Sequence, residues 1–465
     1  MNKLIKLGIT TTLVVFTIGL AYWYQSETTI NAEKILSQSK LKERTFNGIT
    51  EEIYALNGKL KAYIIEEHSI PLVAISFGFN HAGSAYAPKE GVAILAENTI
   101  LDGAGPYERE QLRDIMKEKG IKLNVESSLD RFEFSLSYVK SFEKDALSIL
   151  KAVLYAPHLK QESLDIVKSQ LQAIKSQQQE KPQYYLNKLI QEDFYQSHPY
   201  SKEEIPDSEV LNQITTEDIR DFIKNYLTKD KLIIGITGDI DKSEAEAFIT
   251  QAFNELKDES IAQPLPDFVP DYTSPDSIAE VSSSSQSFVL LKAPGIKRLD
   301  KDFYPLYIAN HIFGGSGLSS RLSQAVRENE GLTYGIYSYF TNTDAIDSWQ
   351  ISYSSSPENI DRIKQITQHV YQQFYTQGIT ADELAKAKKS LMSSFNLRFA
   401  SLFNIASLLE QMHEQGLGKD FLQTRQSQIE ALTLEEINRA IKEKMPKELT
   451  SQGKTKLFEI KGVKK

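Results

Sequence analysis

The chain has 465 residues, 41% of them hydrophobic and 25% charged, the composition of an ordinary globular protein with room for more than one domain. Its net charge of −9, with no basic stripe, excludes a nucleic-acid footprint, which needs clustered Lys and Arg. There is no cysteine, so disulfides, thiolate nucleophiles and Cys-ligated metals are excluded and the fold must rest on core burial.

At the N-terminus, Lys3 and Lys6 precede an uncharged run, Leu7–Tyr24, and Glu27 follows. At 18 residues the run is long for a signal-peptide core and barely long enough to span a bilayer. Flanking lysines stay in the cytoplasm. Residues 1–32 are therefore expected to be a signal peptide or signal anchor, cut after Ala21 or Ala32 or kept as a membrane tether through residues 7–24. Either outcome delivers the remaining chain to the periplasm or the outer face of the cytoplasmic membrane.

Residues 45–257 form the first expected domain. LVAISFGF (72–79), FEFSLSY (132–138) and KLIIGITG (231–238) read as half-buried to buried strands. A helical stretch follows at Glu143–Leu154 and another at Glu162–Gln178. Leu159, Leu164, Val167, Leu171 and Ile174 fall three to five residues apart, which predicts one buried helix face. Residues 258–286, with Pro264, Pro266, Pro270, Pro275 and the run Ser282–Ser285, read as a linker. The second domain, 287–465, looks like a copy of the first. WQISY (349–353) and its helix, 357–375, match FEFSLSY and its helix at an offset of 217 residues. ELAKAKKSLMSSF (383–395) matches the helix from Glu162, and TLEEI (433–437) matches TTEDI (215–219). Each half closes on a short strand, ITGDI (236–240) and EIKGV (459–463). Strands alternating with amphipathic helices in two similar halves predict an α+β fold, with helices packed on a sheet in each half.

The ordered blocks GVAILAEN (91–98), GIKLNVESSLDRFEFSL (120–136), HPY (198–200), ITGD (236–239), GGSGLSSRL (314–322) and RENEGLTYGIYS (327–338) resemble the insulinase and mitochondrial-processing-peptidase family of zinc peptidases. The resemblance spans roughly residues 45–463. It implies two homologous halves, each a mainly antiparallel β-sheet packed with α-helices. It also places residues 91–98 where the family carries H-x-x-E-H. In that motif two imidazoles four residues apart converge on one zinc ion, and the Glu accepts a proton from the metal-bound water. Here Ile94 and Asn98 stand at the two His positions and only Glu97 remains. The helix expected to bring the third, acidic ligand reads LQAIKSQ at 171–177, without a carboxylate. The remaining histidines, His68, His81, His158, His198, His311, His369 and His413, show no ligand spacing. Walker, G-x-S-x-G and dinucleotide motifs are missing as well. No metal or cofactor is expected in this chain; zinc is expected in a partner subunit.

The second half carries Arg327 and Tyr334 seven residues apart with Gly331 between them. In the family, an Arg and a Tyr at this spacing reach the zinc site and hydrogen-bond the substrate carbonyl. Both are donors suited to developing negative charge. The sequence alone also admits a surface Arg and a core Tyr. GGSG (314–317) is either a loop beside bound peptide or a helix stop. The strand at 130–138 could accept a peptide by strand addition or lie inside a sheet. In two-chain members of the family one subunit carries the zinc motif and the other lacks it. The implied function is thus a non-catalytic, substrate-binding subunit of a heterodimeric metalloendopeptidase, supplying Arg327 and Tyr334 to a homologous H-x-x-E-H partner that cleaves peptide. The alternatives are a stand-alone peptide-binding or chaperone-like protein, and a peptidase with unrecognised ligands.

Overall fold

The period-two pattern at 131–139 buries Phe132, Phe134, Leu136 and Tyr138 on one face, as alternating strands do. A computed structural model describes residues 50–463 apart from 57, 59, 282 and 283. The apolar run Leu7–Tyr24 and both candidate cleavage positions lie outside the described residues.

The strands of the first half's main sheet are, in chain order, Glu51–Ala55 (β1), Leu60–Glu66 (β2), Leu72–Asn80 (β3), Lys122–Ser127 (β4), Arg131–Val139 (β5) and Leu232–Gly238 (β6). They form one sheet in the spatial order β1-β2-β6-β3-β5-β4. All neighbours are antiparallel except β2 and β6. Because β5 is paired on both sides, it has no free edge for an added peptide strand.

The second sheet contains Ser277–Val281 (β7), Ser287–Pro294 (β8), Ile336–Asn342 (β9), Asp347–Ser355 (β10) and Lys456–Gly462 (β11). β7 falls within the stretch read as a linker, just beyond its last proline, and runs parallel to β11. Read from β7, the order is β7-β11-β8-β10-β9. That repeats β2-β6-β3-β5-β4 strand for strand, including the single parallel pair. β1 alone has no counterpart.

Helices follow the same duplication. The first half contributes Val92–Thr99 (α1), Glu143–Tyr155 (α2), Gln161–Gln179 (α3), Pro182–Ile190 (α4) and Thr216–Tyr226 (α5). The second contributes Ile360–Gln377 (α6), Ala381–Asn396 (α7), Leu402–Glu414 (α8) and Leu434–Lys444 (α9). TTEDI and TLEEI open α5 and α9 in the same way, each as a capping box in which Thr and the acid three residues on satisfy one another's backbone N–H. On α3 the expected face is only partly right. Leu164, Val167 and Leu171 are buried, but Ile174 is exposed and Leu159 precedes the helix with φ +48°. Lys168 and Lys175 are buried instead. The Lys175 ammonium pairs with Glu203 and, at 2.7 Å, with Asp207, which makes its burial tolerable.

Each sheet has its own apolar core beneath its own helices. The opposite faces are covered by exchange. α8 of the second half lies on β6, β3 and β2, while α4 and the π-helical turn after it, Gln191–Tyr195, pack against the second sheet. Gly235 on β6 makes the first of these contacts feasible, since a Cβ there would stand 2.2 Å from the Ala406 carbonyl oxygen.

Candidate functional site

α1 carries the segment where zinc ligands would stand. Val92 to Ala96 are buried, so the helix is a core element. Ile94 is only 7% exposed and has no lone pair to offer a metal. Asn98 faces out, and its amide donates to the Ile94 carbonyl oxygen at 2.8 Å, a bond within one helical turn. Glu97 turns toward the end of β4, where its carboxylate accepts hydrogen bonds from Ser127 N at 2.9 Å and Ser127 Oγ at 2.6 Å. Within the 171–177 stretch of α3, expected to bring an acidic ligand, Lys175 forms ion pairs with Glu203 and Asp207. The residues present do not fit a zinc ion. Among the described residues, no group of three His, Asp or Glu side chains could hold one.

Burial pushes the Glu97 carboxyl up to about 7. The Ser127 hydrogen bonds oppose that rise, and the nearby carboxyls of Glu204 and Glu126 add to it. Both neighbours are themselves raised by burial. The space beside α1 therefore gathers three carboxyls whose ionisation burial disfavours. Metal coordination brings water from a pKa of about 15.7 to about 7, and a lone carboxylate does nothing comparable.

This geometry has a testable consequence for stability. The Glu97 carboxyl sits at about 7 in the folded chain against an ordinary 4.5. A raised carboxyl contributes stability below its unfolded value, and that stability is lost as pH climbs through the folded value. Glu97→Gln keeps an acceptor for Ser127 and removes the titration. It should be more stable than the parent at pH 8, by about 3 kcal/mol at most, and equal to it near pH 4.5. Urea unfolding at the two pH values measures this. A variant less stable than the parent at pH 8 would mean that the ionised carboxylate, rather than its burial, matters to the fold.

Arg327 and Tyr334 are brought together. Arg327 lies in a π-helical turn, Gln324–Glu328, and Gly331, at φ +64°, reverses the chain after it. Arg327 Nη1 donates to the Tyr334 carbonyl oxygen at 2.6 Å, and Nε stands 3.6 Å from Glu328. Buried Thr333 pins the segment by donating from Oγ1 to Ser354 O at 2.7 Å on β10. With its neighbour pinned, the Tyr334 side chain is left 86% exposed. It is not a core tyrosine. The pair makes no hydrogen bond or ion pair to Glu97, Ser127 or any other described residue of the first half.

Two other motif blocks make packing contacts. GGSG ends the helix Phe303–Asn310 through a π-turn, and a Cβ at Gly314 would lie 2.4 Å from Ser338 Oγ on β9. In HPY, the Tyr200 hydroxyl donates to Asp130 and accepts from Ala345 N at 3.3 Å, joining the halves. Sequence reasoning missed Ser127 and Glu204 as neighbours of Glu97. Nothing in ESSLD or KEEIP marks them, since their role depends on where β4 ends.

Two family models match. One, described as insulinase (peptidase family M16), covers residues 72–206, and the other, the peptidase M16 inactive domain, covers 213–391. A Helicobacter pylori protein described as the non-peptidase homolog YmxG is 26% identical over 386 residues, 81% of this chain and 87% of that protein. A Bacillus subtilis protein described as the uncharacterized zinc protease YmxG is 22% identical over 357 residues, 75% of this chain and 84% of that one. Among solved structures, a peptidase M16 inactive domain from Pseudomonas fluorescens superposes with a TM-score of 0.80 at 25% identity, covering 89% of this chain and 97% of that chain.

Proposed function

This chain belongs to the insulinase family, peptidase family M16, and from that membership we propose that it is the non-catalytic, substrate-binding subunit of a two-chain zinc endopeptidase. A homologous H-x-x-E-H subunit would hold the zinc and cleave the peptide, while Arg327 and Tyr334 of this chain reach into its site. The observation that carries the reading is the contrast between two segments. Where the family holds its metal, Ile94 is buried, Asn98 bonds within its own helix and Glu97 is occupied by Ser127. On the second half, the Arg327 guanidinium holds the Tyr334 backbone carbonyl and the Tyr334 phenol stands in solvent. An exposed phenol on a segment held by a half-buried guanidinium suits a site completed between chains. The relative described as a non-peptidase homolog fits the same reading.

Purified alone, the chain should hold no stoichiometric zinc and cleave no peptide. Combined with an H-x-x-E-H subunit, it should form a complex that cleaves. Metal analysis by plasma mass spectrometry checks the first statement. About one tightly held zinc per chain, lost on Glu97→Gln, would sink the proposal. A chain that binds peptide but leaves the partner's turnover unchanged would instead favour a stand-alone peptide-binding role.

The subunit acts outside the cytoplasm, delivered by residues 1–32; Lys3 and Lys6 ahead of Leu7–Tyr24 support this. Fractionation of cells expressing the untagged chain should recover it with the periplasm or the outer face of the membrane. Recovery with the cytosol would contradict the assignment.

A further inference from the structure

A cavity of about 510 Å³ opens on the second half between the loop after β8 and the loop after α8. Its size falls in the range of small-ligand sites, about 300–1,000 Å³. One wall is Arg298. Its guanidinium carbon stands 4.2 Å from the centre of the Phe303 ring, 5.2 Å from Tyr304 and 5.4 Å from Phe421. Nε donates to Gln415 Oε1 at 3.2 Å, and Nη2 donates to the Tyr304 hydroxyl at 3.4 Å. Those partners are all neutral. Arg131, Arg321 and Arg439 each hold a carboxylate, whereas no described residue forms an ion pair with Arg298. The acids closest in sequence are engaged elsewhere, Asp300 with Lys444 at 3.5 Å and Asp302 with Arg439 at 2.5 Å.

A guanidinium has five N–H donors, so those two bonds leave three. Three rings crowd the group, and its remaining N–H donors are of the kind that can give a carboxylate two bonds in the guanidinium plane. The rest of the wall mixes apolar side chains with polar and charged ones. Phe421 lines the interior and Leu299, 67% exposed, stands at the rim. Asp300, Lys301 and Asp420 also line the cavity, so with Arg298 its formal charges balance, and what sets Arg298 apart is its ring contacts and its lack of an ion-pair partner among the described residues. The loop after α8 is tied to the first half by the Tyr63 hydroxyl, which donates to Leu417 O at 2.8 Å. The cavity is thus partly built before any ligand arrives.

We infer that this cavity binds a carboxylate carried on an apolar group, the carboxylate on the open edge of Arg298 and the apolar body against Phe421 and Leu299. A peptide ending in an apolar residue and a fatty acid both offer that chemistry. The inference needs neither a partner subunit nor catalysis, so it stands or falls apart from the proposed function. The test is calorimetric titration of the full chain at pH 7.5 with N-acetyl-Ala-Phe, its C-terminal amide, and decanoate. The free acid should bind saturably and the amide at least tenfold more weakly. Arg298→Gln should weaken the acid at least tenfold, and Leu299→Asp should weaken it with the melting temperature unchanged. Decanoate binding with the same dependence on Arg298 names a fatty acid as a source. Decanoate binding without the peptide names it as the source, and both results support the carboxylate site. Equal binding of acid and amide, binding unaffected by Arg298→Gln, or no binding of either carboxylate at millimolar concentration overturns the inference. Should Arg298→Gln fail to fold, Leu299→Asp decides it alone, because an exposed rim residue can change without disturbing the core.

Discussion

Under the proposed function, Arg327→Ala and Tyr334→Phe should each lower the turnover of this chain reconstituted with an H-x-x-E-H subunit by about 10²–10³-fold while leaving the complex intact. Loss of one donor to a developing oxyanion typically costs about 2.7–4 kcal/mol in the transition state. An ordinary exposed side chain contributes within about 0.5 kcal/mol to stability, so the two roles are well separated. Geometry favours the donor role. The Arg327 backbone is fixed by the turn at Gly331, its Nη1 is held by the Tyr334 carbonyl, and Thr333 anchors the segment between them to β10. Neither side chain fills the apolar core of the second half, so removing it leaves no cavity there. The loss should fall on kcat more than on KM, because a bond formed chiefly in the transition state does little for ground-state binding. The measurement is peptide cleavage by the H-x-x-E-H partner with each variant, after gel filtration shows equal complex. Unchanged kcat in both variants would return the pair to a surface role.

Much of the fold was legible because it is written twice. The match of TTEDI to TLEEI is a match of two capping boxes, and local hydrogen bonding of that kind needs no tertiary context. The strand FEFSLSY was legible from alternation, although only the pairing with both neighbours shows it to be internal. The negative half of the site could also be read, since an Ile cannot ligate a metal in any fold. What could not be read are contacts between the halves. Lys175 reads as the polar side of α3 until Glu203 and Asp207 arrive over it. Lys292 on β8 reads as a break in an apolar strand. In the fold it lies between the halves, with Nζ 4.7 Å from the Phe194 ring centre and donating to the Tyr195 hydroxyl at 3.1 Å. Burial lowers its ammonium to about 8. Periodicity reports burial of an element against its own sheet, and it is blind to helices exchanged from the other half.

The matching interface on the first sheet gives the largest expected effect on stability. Arg131 on β5 is 7% exposed and pairs with Glu410 of α8, which also accepts from Ser76 on β3. Glu133 at 3.1 Å and Glu414 at 3.6 Å complete the surroundings of the guanidinium. Arg131→Ala would leave the Glu410 carboxyl buried against a hydroxyl alone. Removing one partner of a buried pair typically costs about 3–5 kcal/mol, because the other charge stays without compensation. Burial already raises the Glu410 carboxyl and Arg131 pulls it back down, so the variant should hold its proton over a wider range. A raised folded value means stability that is present below the unfolded value and lost as pH rises through the folded one. The deficit of Arg131→Ala should therefore be smaller at pH 5 than at pH 8. Replacing both partners, Arg131→Met with Glu410→Leu, should recover most of the loss, since apolar residues of similar volume fill the space without the desolvation penalty. Urea unfolding of the parent and the two variants at both pH values tests the argument. A cost below about 1 kcal/mol for Arg131→Ala at pH 8, the size of a surface ion pair, would mean that α8 is held on the first sheet by its apolar face and the close approach at Gly235 alone.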